Sequence, residues 1–173
     1  MIDALALRIA NGIKNANPEH TASVDVMRFA LIILINGFIM FSLAFAVGFW
    51  TGRGIETVLF LLSFVGLRFA TGGYHLDSST KCTIVSCIIA IGFPQLPVAS
   101  SLVYVFGALS LMLIFWFAPA NIEGHTRIPP SFYPLLKAMA CLFVACNFLI
   151  QSSYVALGCF VQSLTLIHFH ERR

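Results

Sequence analysis

His75 and Cys82 stand seven residues apart in Arg68-Phe69-Ala70-Thr71-Gly72-Gly73-Tyr74-His75-Leu76-Asp77-Ser78-Ser79-Thr80-Lys81-Cys82. Nowhere else in the chain do an imidazole and a thiol lie close together among ionisable neighbours. Such a pair can do nucleophilic chemistry: the imidazole takes the thiol proton, the thiolate attacks a carbonyl carbon, and the imidazolium protonates the leaving group. Proton transfer needs the two groups about 3 Å apart, whereas residues seven apart on an unbroken helix sit roughly 10 Å apart along its axis. The pair can therefore work only across a break. Gly72-Gly73 permits one, and Asp77, Ser78 and Ser79 are good caps for a new helix. Cys82 then falls in the first turn or two of that helix, where amide dipoles favour a thiolate and Lys81 adds positive charge.

Other readings of the same residues stay open. A cysteine beside an apolar run is often packing, and a histidine near a helix end is often a satisfied surface residue. Metal binding by His75, Cys82 and His125 is a further alternative, although no short ligand spacing supports it. Asp77 either orients His75 or caps the new helix. Gly72 and Gly73 shape the backbone, and amides near Cys82 are candidate oxyanion donors.

The elements that must carry these residues are built for lipid. Of 173 residues 59% are hydrophobic and 10% charged, where a soluble domain carries roughly a quarter charged. The formal charge of +3 is small and its basic residues are scattered, so nucleic acid is not an expected partner. Five cysteines, four of them inside apolar runs, suggest neither a disulfide framework nor a structural zinc site. No cofactor is expected. Asp3, Arg8 and Lys14 interrupt any apolar core at the start, which argues against a cleaved signal peptide there.

The expected fold is all-α and membrane-embedded, a single domain over residues 1–173. Residues 1–17 place Ile2, Leu5, Ile9 and Ile13 on one face, predicting an amphipathic helix lying in the interface or packed on the rest of the protein. Apolar segments follow at 29–50, 55–70, 83–93 (short) and 98–118, with a polar connection at 119–137. The stretch 138–169 is too long for one upright span and reads as two helices joined near Asn147, Gln151, Ser152 and Ser153. That makes six membrane-associated segments. With six crossings, Arg8, Lys14, Arg28, Arg68, Lys81, Arg127, Lys137, Arg172 and Arg173 share one side, and Arg53 stands alone on the other. The positive-inside rule then puts both termini, the 68–82 island and the long loop in the cytoplasm.

At these residues the chain resembles the AgrB (accessory gene regulator protein B) family of bacterial membrane peptidases. The matching core is Arg68, Gly73, His75 and Cys82. Ala118-Pro119-Ala120-Asn121 is similar to the family's Ala-Pro loop, and residues 158–166 resemble its last helix. The resemblance implies a cysteine endopeptidase that processes an AgrD-like precursor of a cyclic quorum-sensing peptide. It implies His75 and Cys82 as the catalytic pair, a thioester intermediate, and ring closure to a thiolactone or lactone. Arg68 matches the family's arginine and could bind a carboxylate, with a snorkelling interfacial charge as the alternative. Arg127 and Lys137 could attract an acidic precursor tail, or only orient the chain. The long loop carries fewer basic residues than the family pattern. A homodimer in the cell membrane is expected by analogy. The rival functions are a peptide exporter that cuts nothing and a structural or regulatory membrane subunit.

Overall fold

A computed structural model describes residues 2–73, 79–120 and 129–167. Every regular element among them is helical: α1 (Ile2–Ala16), α2 (Val24–Trp50), α3 (Gly54–Thr71), α4 (Ser79–Gly92), α5 (Leu102–Phe117), α6 (Tyr133–Ile150) and α7 (Ser153–Leu164). Short 3₁₀ turns, Phe93–Gln95 and Pro130–Phe132, follow α4 and precede α6.

The boundaries follow local chemistry. Ser23 caps α2, its Oγ accepting from Val26 N–H at 3.4 Å, so the helix starts five residues before the apolar run that marks it in the sequence. Asn147 and Ser152 make the break between α6 and α7. The Asn147 side chain donates to Ser152 O at 3.1 Å and accepts from Ser152 N–H at 3.2 Å. Gln151 between them takes φ 55°, and Ser152 Oγ caps α7 by accepting from Val155 N–H at 3.4 Å.

Two expectations need correction. The segment 98–118 is helical only from Leu102, because Leu102 N–H bonds Ala99 O and Val103 N–H bonds Ser100 O, closing tight turns after Pro97. The polar connection 119–137 ends early. Proline is compatible with a helix's first turn, where its missing N–H is not needed, and Pro134 sits there, so α6 begins at Tyr133 and Lys137 is helical.

Among the described residues three helices, α2, α3 and the stretch Pro130–Ile150, are long and apolar enough to cross a membrane. Thr80–Gln95, Leu102–Phe117 and Ser153–Leu164 are shorter apolar helices. Helix α1 packs on α2 through the fully buried Ala6 and Ala10, while Leu5, Ile9 and Ile13 stay exposed on the adjoining face.

The axis of the molecule is the pair α3 and α7, the most extensive helix contact. A side chain at Gly158 would meet Ser63 Oγ and, at 2.7 Å, the Phe60 carbonyl, so the two backbones meet where only hydrogen fits. Around this pair lie two apolar clusters. One joins Met40, Phe60, Phe64, Ala90 and Leu157 from α2, α3, α4 and α7. The other joins Leu67, Ile114, Ala140, Val144 and Cys159 from α3, α5, α6 and α7. Packing thus fixes the ends of α3 and α7 against each other, and the site is built there.

Candidate active site

Helix α3 ends where glycine lets it end. Gly72 N–H still bonds Arg68 O at 2.9 Å, but its φ of 70° and ψ of −142° turn the chain out of the helix, and Gly73 continues at φ 143°. Both values suit glycine and strain other residues. The reversal is then pinned from two sides. From the end of α5, Ala120 forms a parallel bridge with Gly72: Ala120 N–H donates to Thr71 O at 2.9 Å and Gly73 N–H to Ala120 O at 3.1 Å. From α7, Gln162 Nε2 donates to Gly72 O at 2.7 Å and to Thr71 Oγ1 at 3.3 Å. A Cβ on Gly73 would stand 2.7 Å from Thr165 Oγ1, 3.1 Å from Arg68 Nη1 and 3.3 Å from Gln162 Nε2.

Arg68 lies in the last turn of α3, half-buried, and its Nη1 donates to Gln162 Oε1 at 3.4 Å. The guanidinium thus reaches α7 through Gln162. Arg68 and Cys82 are electrostatic neighbours. Cys82 is the fourth residue of α4, half-buried, with a free thiol. The first amides of a helix have no acceptor within it, and here those of Ser79, Thr80 and Lys81 lie just ahead of Cys82. Lys81 beside it is exposed. A glycine reversal, a new helix and a cysteine in its first turn are thus all present.

The sequence reading of the other residues divides. Lys137 sits in α6 with Nζ 5.0 Å from the centre of the Phe115 ring of α5, so its charge is engaged within the bundle. His75, Asp77, Ser78 and Arg127 lie outside the described residues. Cys87 packs against the α2–α3–α4–α7 cluster. The sequence reading assigned no role to Gln162, Thr165 or Thr71. The available signal was Gln162 itself, an amide inside an otherwise apolar run; Thr71 and Thr165 gave none.

The profile of the accessory gene regulator B family matches residues 6–167. The chain belongs to that family. An AgrB-like protein of Halalkalibacterium halodurans is 30% identical over 96% of this chain and 87% of its own length. An AgrB-like protein of Listeria monocytogenes is 27% identical over 66% of this chain, an alignment that covers 58% of the Listeria protein. Protein FsrB of Enterococcus faecalis is 22% identical over 86% of this chain and 66% of its own length. No solved structure matches. As an AgrB member with several long apolar helices, the chain is membrane-associated and takes part in processing quorum-sensing autoinducer peptides. The Gly72–Ala120 and Gly72–Gln162 contacts join three stretches that carry the AgrB resemblance in the sequence: the 68–82 island, the Ala-Pro loop and the last helix.

Proposed function

We propose that this AgrB member is a membrane cysteine endopeptidase that removes the C-terminal part of an AgrD-like precursor and closes the remainder into a ring. His75 and Cys82 are its catalytic pair. The observation that carries this reading is Cys82 in the first turn of α4, the helix that follows the glycine reversal ending α3, with Arg68 as an electrostatic neighbour.

In the first step His75 takes the Cys82 proton and the thiolate attacks the scissile carbonyl carbon. Amides at the start of α4 stabilise the oxyanion. The C–N bond breaks, the C-terminal fragment leaves as an amine with the proton from His75, and the precursor remains as a thioester on Cys82. In the second step an internal thiol or hydroxyl of the precursor gives its proton to His75 and attacks the thioester. Cys82 leaves as the thiolate and a thiolactone or lactone remains. Exchange of one thioester for another is nearly balanced, whereas hydrolysis runs downhill, so ring closure requires a held nucleophile and little water. Apolar helices around Cys82 suit that requirement.

The same reading takes α2 to α7 as six membrane segments of one peptidase domain, and α1 as an interfacial helix with Leu5, Ile9 and Ile13 toward lipid. Both termini and the site face the cytoplasm, and the protein works as a homodimer in the cell membrane. Asp77 orients His75, and Arg127 attracts the precursor tail.

Co-expression with the candidate precursor tests the assignment. Wild type should shorten the precursor by mass, and Cys82→Ala and His75→Ala should leave it intact, with an acyl adduct on Cys82 trapped from wild type. Cleavage that persists in both variants removes the assignment.

A further inference from the structure

We propose that Gln162 is a positioning residue for the His75–Cys82 reaction, its carboxamide holding the Gly72–Gly73 reversal and the Arg68 guanidinium in one fixed arrangement. The inference rests on the peptidase reading above and extends it to a residue of α7 that touches neither reacting atom.

Gln162 is fully buried, and a buried amide is costly unless its hydrogen-bonding groups are met. They are met by groups of fixed character. Gly72 O can only accept and receives Nε2–H at 2.7 Å; the Arg68 guanidinium can only donate and reaches Oε1 at 3.4 Å. The amide can therefore sit only one way round, and no rotation of it serves both partners. Thr165 adds to the hold, its Oγ1 donating to Gln162 O at 2.7 Å while standing against Gly73.

Each partner governs one half of the reacting pair. The chain leaves Gly73 toward His75, so the reversal sets where the histidine segment begins. The guanidinium is the electrostatic neighbour of Cys82. A glycine pair without such a tie explores a wide range of backbone angles, and a misplacement of about 1 Å at a reacting centre can cost on the order of 100-fold in rate.

The test uses the full chain in membranes with its precursor peptide. Gln162→Met keeps length and apolar fit, and Gln162→Glu keeps size but turns an acceptor toward Gly72 O. In both, kcat should fall roughly 10- to 100-fold while KM stays within about threefold. Alkylation of Cys82 by iodoacetamide should change in rate, which loss of folded protein alone would not produce after normalisation to folded material. Ser163→Ala, in the next position of α7 with its hydroxyl bonded to Phe160 O at 2.8 Å, should keep wild-type kcat. Adding Gln162→Met to Arg68→Gln should cost less than the product of the two single losses, because the effects share a partner. A wild-type kcat and alkylation rate in both Gln162 variants overturns the inference, as does a loss no larger than the loss of folded protein. The peptidase reading fails by a different result, cleavage that survives Cys82→Ala, so the two failures are told apart.

Discussion

Helix α3 carries an arginine at each end, and the two are used in opposite ways. Arg53 caps the start. Its Nη1 reaches Tyr154 Oη at 3.0 Å, Leu96 O at 3.4 Å and Pro94 O at 3.5 Å, and Tyr154 in turn donates to Leu96 O at 3.2 Å. Each of these acceptors is an oxygen of the fold, and none is a nucleophile. Arg68, fifteen residues on and about 22 Å along an ideal helix, meets an amide that also holds the glycine reversal, and has a thiol for an electrostatic neighbour. A charged residue in an apolar chain is costly wherever it stands. Its partners separate a staple from a working part: the first end consumes its charge in closing the bundle, and the second ties its charge to the amide that holds the glycine reversal.

The contrast breaks most sharply at Gly73. Gly73→Ala must strain a φ of 143° and push against Thr165, Arg68 and Gln162 at once; strain of about 1–3 kcal/mol in the backbone alone is expected. Precursor cleavage should drop more than tenfold, read by mass spectrometry, and wild-type cleavage would mean that the reversal does not govern the site. Arg53→Gln should do the reverse. Losing several charged hydrogen bonds at once should destabilise the bundle by about 2–4 kcal/mol, seen as a lower melting temperature in detergent. Cleavage per folded molecule should stay within about twofold; a selective loss of kcat would erase the distinction between the two ends. The smallest effect is expected at Lys137→Gln. Its contact with the Phe115 ring is worth about 0.5–1 kcal/mol at an exposed site, so melting should shift slightly and KM for the precursor should not rise. A rise in KM would make Lys137 a substrate contact.

Much of this division is legible in the sequence because it is local. Two glycines, a run of capping residues and a cysteine a few positions later announce a reversal and a new helix, and α4 begins at Ser79 accordingly. The joint between α6 and α7 is likewise written in Asn147 and Ser152, which bond each other across five residues. Boundaries set by backbone turns are harder to read: Val98 and Ala99 join the apolar run, and the mark of where α5 starts is the pair Ser100-Ser101 just before it. Lys137 reads as a loop charge because it closes a stretch rich in prolines and charges, yet Pro134 sits in the first turn of a helix among Phe132, Tyr133, Leu135 and Leu136. Gln162 is the hardest. Its partners lie 90 residues and more away, and within α7 it is simply one amide in an apolar run. Only the packing of α7 on α3 says what the amide is for.

The parallel bridge between Gly72 and Ala120 ties together two stretches of chain that are far apart in sequence. One continues toward the histidine and the other toward residue 121, and both set out from the same two hydrogen bonds in the same sense. They are moored to a single post. A pull on the second rope is therefore a pull on the glycine pair from which the first one starts.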